Sequence, residues 1–98
     1  MHFTFTTPMW LYAGKGAWHF VTLPKDAADE IRFFNSLAKG FMPIAVDASM
    51  GETTWKTSVF PDAKSGSYLL AIKAAVRKAE NLDAGTEVTV SIRVKSDL

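Results

Sequence analysis

His2 and His19 are the only imidazoles in this 98-residue chain, whereas a metal site needs three or four converging ligands. One stands beside the terminus and the other in an alternating apolar stretch, with no cysteine and no His-Glu-x-x-His spacing. The sequence therefore predicts no metal centre, and an isolated strand histidine reads as structural. Hydroxyls are more concentrated. Thr53, Thr54, Thr57 and Ser58 surround Trp55 and Lys56. A serine nucleophile needs a base within hydrogen-bond reach and a third group to orient that base. His19 is the imidazole that could serve, and Lys56 is the amine that could activate Ser58. Threonine is also what a strand favours, and no nucleophile-elbow motif accompanies these residues. No catalytic residue is assigned.

Trp55 beside Lys56 supports two readings. Either the indole fills the core of a small domain, or its face and N–H line a groove between Lys56 and Ser58. Lys73, Arg77 and Lys78 form a basic stripe, which Lys64, Lys56 and Arg93 could extend. Such a stripe contacts phosphate or nucleic acid, or it is simply a solvated helix face. Asp62, Glu80, Asp83 and Glu87 dilute its field. Gly14-Lys15-Gly16 is too short to be a phosphate loop. The candidate ligand-binding residues are thus Trp55, Lys56, Ser58, Lys73 and Arg77. They are expected to border one concavity suited to an anionic or carboxylate-bearing ligand.

The elements that must position them follow from periodicity. Phe3 to Thr6 alternates at period two, and Pro8 confines that strand to an edge or a bulge. The strand resumes through Met9 to Tyr12, turns at Gly14-Lys15-Gly16 and pairs with Ala17 to Leu23. After Pro24, the residues Ala27, Ile31, Phe34 and Ala38 mark one stripe of an amphipathic helix that stops at Lys39-Gly40. Ile44, Val46, Ala48 and Met50 restore period two, and Gly51-Glu52 turns the chain into Thr53 to Phe60. Pro61 opens a polar loop. A short strand, Tyr68 to Ile72, precedes a two-turn helix over Lys73 to Ala79. Glu87 to Val94 closes the chain, with Val88, Val90, Ile92 and Val94 inward and Glu87, Thr89, Ser91 and Arg93 outward. Six strands and two short helices predict a mainly β fold, a small barrel. A strand runs into Leu23-Pro24-Lys25 and a helix, and another into Ile72-Lys73 and a helix, a faint internal repeat.

Three blocks, Trp18 to Pro24, Met50 to Pro61 and Leu69 to Arg77, resemble in order the prokaryotic family of domains of unknown function numbered 1905. The resemblance spans nearly the whole chain and implies a partly open, double-split β-barrel with no established activity. The last third also resembles AbrB-type swapped-hairpin regulators, through Arg77 and the turn at Gly85 before Glu87-Val88-Thr89-Val90. It departs from them at Leu70-Ala71-Ile72-Lys73 and at Gly85-Thr86, where proline and aspartate are usual. Losing both weakens any carry-over of turn geometry or acidic-site function, and what the resemblance still implies is the fold, because Gly85 is free to adopt positive φ.

Composition bounds what remains. Hydrophobic residues are 48% and charged residues 21% of the chain, with a formal net charge of +1, an ordinary globular balance that does not demand a polyanionic partner. One domain over residues 1–98 is expected. No secretory signal is visible and no stretch approaches the ~18 apolar residues of a membrane span, so a cytoplasmic location without membrane association is expected. No cofactor is expected. A non-catalytic module that binds a small molecule or a protein is the leading function, with nucleic-acid binding and an enzyme of unidentified type as alternatives.

Overall fold

The computed structural model describes residues 1–14, 16–38 and 43–95, the side chains of residues 35–38 excepted. Lys15, the Lys39-Gly40 stop and the side chain of Ala38 lie outside the described residues. In chain order the elements are β1 (His2–Pro8), β2 (Trp10–Leu11), β3 (His19–Thr22), α1 (Lys25–Ala38), β4 (Ile44–Met50), β5 (Thr53–Asp62), β6 (Ser67–Ala71), α2 (Ala74–Glu80) and β7 (Glu87–Val94). The strands form one sheet in the order β1-β7-β4-β5-β6-β3-β2, antiparallel at every pairing.

The expected six strands are seven among the described residues, because the first one changes partner. β1 pairs with β7 as far as Pro8 opposite Glu87. Met9 stays bound to the loop before β7: its N–H donates to the Thr86 carbonyl at 2.9 Å and its carbonyl accepts from Gly85 N–H at 2.7 Å. Trp10 then pairs with Phe20 of β3. One continuous arm thus joins the two edges of the sheet, which is nearly closed into a barrel with one unsealed seam. Gly85, at φ +90°, supplies the backbone angle that this junction needs, a region that L side chains rarely adopt.

Inside the barrel the period-two pattern holds. Val88, Val90, Ile92 and Val94 pack with Ile44, Val46 and Ile31 in one cluster, and Phe34 is partly buried against it. β5 runs two residues beyond its expected end, through Pro61 and Asp62. Proline is tolerated there because β4 pairs only as far as Val59, leaving an open edge toward which its missing N–H can point. The repeat in the sequence has a structural counterpart. β3 and β6 are antiparallel neighbours, and each runs directly into a helix, so α1 and α2 leave from opposite ends of the barrel. Ala28 and Ile31 of α1 and Val76 of α2 enter the core. α2 ends at Asn81, in the left-handed region at φ 57°, as residues that close a helix commonly are. No helix among the described residues is long and apolar enough to cross a membrane.

Among the described residues one buried side-chain polar group is unsatisfied. The Tyr68 hydroxyl is buried with no hydrogen-bond partner among the described residues, while the guanidinium of Arg32 lies over the Tyr68 ring at 6.0 Å from its centroid. Leaving a hydroxyl unpaired costs about 1–3 kcal/mol, and removing it relieves that cost. Tyr68→Phe is therefore expected to melt at or above the wild-type temperature. A clear drop in calorimetry would show that the hydroxyl is satisfied.

Candidate functional site

The structure disperses the residues singled out by sequence. Trp55 is 8% exposed and belongs to the core cluster. Lys56 and Ser58 alternate with it onto the outer face of β5, Lys56 exposed and Ser58 half-buried. Lys73 is the exposed N-cap residue of α2. Half-buried Arg77, one turn on, donates from Nε to the Ile72 carbonyl at 3.1 Å. Glu80, a possible partner for Arg77, instead accepts from the Thr53 hydroxyl at 2.6 Å, tying α2 to the start of β5. Trp55 and Lys56 line one concavity together with His2, Asp47, Thr54 and Arg93. Of the concavities described, none is lined by Ser58, Lys73 or Arg77. His19 bonds through Nδ1 to the Ala17 carbonyl at 2.9 Å. Among the described residues no group of three or more His, Asp or Glu is placed to hold a metal ion.

A second site emerges on the outside of β2, β3, β5 and β6. Phe20 and Leu69 are 8% and 6% exposed yet stand apart from the core cluster. What buries them is a layer of aromatic rings. Around Phe20 lie Trp10 at 5.2 Å between centroids, Trp18 stacked at 6.0 Å and 7°, and Phe60 and Tyr12 edge-on at 5.8 Å and 6.2 Å. Edge-on and offset-stacked pairs are the geometries that ring quadrupoles favour, each adding about 0.5–1.5 kcal/mol. Trp10 pairs with Phe20 across the β2–β3 ladder, and its indole N–H donates to the Thr22 hydroxyl at 2.9 Å. Tyr12 and Trp18 stand at the hairpin's loop end, joined by a backbone bond of 2.8 Å, and are 50% and 55% exposed.

The loop glycines fit beneath these two walls. A Cβ on Gly14 would overlap the Tyr12 ring, and one on Gly16 would lie 3.0 Å from the Trp18 indole nitrogen. The rings enclose a groove of about 450 Å³ that runs to Asp62 and Lys64 at its rim. Hydrogen bonds from Ser65, its side chain foremost, hold the Asp62 carboxyl below its ordinary value, so the rim keeps its negative charge at neutral pH. An apolar floor with a few polar groups at one end is how small-molecule sites are commonly built.

Periodicity alone marks these rings only as strand residues. The signal that could have found them is an i, i+2 pair of aromatics in each arm of one hairpin, Trp10/Tyr12 and Trp18/Phe20. Such spacing puts all four rings on one face of the ribbon.

The family model described as Domain of unknown function (DUF1905) matches residues 5–92, nearly the whole chain, and the chain belongs to that family. No curated protein matches it.

Proposed function

We propose that this domain is a non-catalytic binding module, and that it takes a small molecule bearing an aromatic ring in the groove walled by Tyr12 and Trp18. The observation that carries this reading is the half-exposure of those two rings over a floor of buried Phe20 and Leu69. Large flat apolar side chains left in water beside one another form a patch that a soluble domain otherwise avoids. Ring stacking supplies affinity over the apolar floor, where hydrogen-bonding groups are few. Asp62 and Lys64 at one end give a polar substituent on the ring a charge of either sign to meet.

Indole is the simplest probe. Titrated into the labelled protein by 1H–15N NMR, it is expected to give saturable shifts in the Trp10–Leu11 and His19–Thr22 strands and at the Trp18 indole N–H. Trp18→Ala should weaken binding by about tenfold, the equivalent of one stacking contact of about 1.4 kcal/mol. Its melting temperature should fall by only a few degrees, because the lost ring is mostly solvated. Absence of saturation, or unchanged affinity in Trp18→Ala, sinks the reading. So would sedimentation showing a dimer that Trp18→Ala dissociates, since a second copy would then be the occupant.

A further inference from the structure

The outer face of β1, β7, β4 and β5 carries a second arrangement, visible only when the registers of four strands are laid side by side. His2 stands opposite Arg93, Arg93 opposite Asp47, and Asp47 opposite Lys56. These four residues, remote in sequence, form one cross-strand row. Two residues along each strand, Thr4 stands opposite Ser91, Ser91 opposite Ser49, and Ser49 opposite Thr54. Side chains alternate between faces, so both rows share one face. The row between them, Phe3, Ile92, Ala48 and Trp55, turns toward the interior. A charged row and a hydroxyl row therefore run in parallel, roughly 7 Å apart. The concavity that these residues border, Thr4 excepted, measures about 480 Å³.

We propose that this face binds a phosphate group carried by a small molecule. Charge is the first reason. Asp47 is the row's one carboxylate, and Lys95 already engages it at 3.4 Å. Lys95 bonds through its backbone to Ala45, on the side of Asp47 away from the hydroxyl row, so the pair draws that carboxylate away from the space between the rows. Arg93 and Lys56 remain, one on each side of the Asp47 strand, and neither enters an ion pair among the described residues. Their backbones are roughly 10 Å apart, two strand spacings, a gap that their long side chains can close over one tetrahedral anion.

Donor supply is the second reason. The Thr4 and Ser91 hydroxyls lie 2.8 Å apart. Two hydroxyls bring two hydrogens, and their mutual bond consumes one, so the pair keeps a donor for a ligand. Ser49 and Thr54 continue the same row. Guanidinium, ammonium and hydroxyl donors around a shallow cup match phosphate, which accepts on every oxygen. A long nucleic-acid chain is the poorer fit, because it needs a track of cations, and among the described residues of this face Arg93 and Lys56 are unpaired while Lys95 is engaged by Asp47. The site uses different strands from the aromatic groove except for β5, and neither site needs the other.

Inorganic phosphate and pyrophosphate, titrated at fixed ionic strength against chloride, are the probes. Saturable amide shifts are expected at Ser49, Ser91 and Thr54, with pyrophosphate the tighter ligand. Arg93→Ala and Lys56→Ala should each weaken binding about tenfold, the loss of one charge-assisted bond, while both proteins melt as the wild type does. Asp47→Asn should tighten binding several-fold, since it removes the negative charge in the row and frees Lys95; a merely structural role for Asp47 would not move affinity in that direction. Shifts linear in phosphate, an equal response to chloride, or weaker binding in Asp47→Asn would overturn the proposal. So would a single-stranded oligonucleotide that binds more tightly than pyrophosphate with a salt slope well above two charges, which would assign the face to a polyanion.

Discussion

Val90→Asp is expected to abolish the fold. Val90 is 0% exposed, and its strand is flanked by β1 on one side and β4 on the other. A carboxylate there joins Ile92, Val46 and the other apolar members of the same cluster, which contains no cation among the described residues. Burying an unpaired charge costs several kcal/mol even after the group neutralises itself by taking up a proton. A small domain has roughly 5–15 kcal/mol of total stability to lose. Circular dichroism and a thermal scan check this, the expected trace having no cooperative transition. A soluble Val90→Asp protein with a sharp melt would mean that β7 turns its other face inward.

Trp55→Ala is expected to be the second most damaging change, destabilising by about 3–5 kcal/mol, as large-to-small substitutions of buried aromatics do. Trp55 is 8% exposed in the core cluster and stands opposite Ala48, a small neighbour that cannot fill the space the indole leaves. Its neighbour gives the contrast. Lys56 points outward into solvent, and Lys56→Ala should change stability by less than about 1 kcal/mol. Arg77→Ala falls between them, at about 1 kcal/mol for its bond to the Ile72 carbonyl. Denaturant titrations of the three variants separate these values. A Trp55→Ala protein as stable as the wild type would return the indole to a ligand-facing role.

These contrasts show why the expected site and the described one differ. Trp55, Lys56 and Ser58 follow closely in one strand, and closeness in sequence suggested a shared groove. Period-two alternation does the opposite and sends neighbours to opposite faces, so Trp55 went inside while Lys56 and Ser58 stayed out. Arg77 has two possible fates in the sequence, a ligand contact or a place on a solvated helix face. The folded chain offers a third, a backbone carbonyl at the junction of β6 and α2.

Much of the architecture was legible because it is local. The alternation of Glu87 to Val94 already says which four side chains the strand buries. Helix α1 follows from an apolar stripe after Pro24, and Gly85 marks a turn that needs positive φ. Each of these depends on residues within a few positions of one another, where steric and solvation preferences act directly on the chain. Other features depend on which strands become neighbours, and no local preference encodes that. Met9 ends one pairing and begins another only because β7 and β3 stand on either side of it. Phe20 is buried on an outer face only because rings from the β2–β3 hairpin and from β5 meet over it. Arg93, Asp47 and Lys56 share a row only because β4 lies between β7 and β5. Closing the barrel set those adjacencies, since burying the inner apolar faces of six strands at once admits few registers, and the outer rows follow from whichever register the core selects.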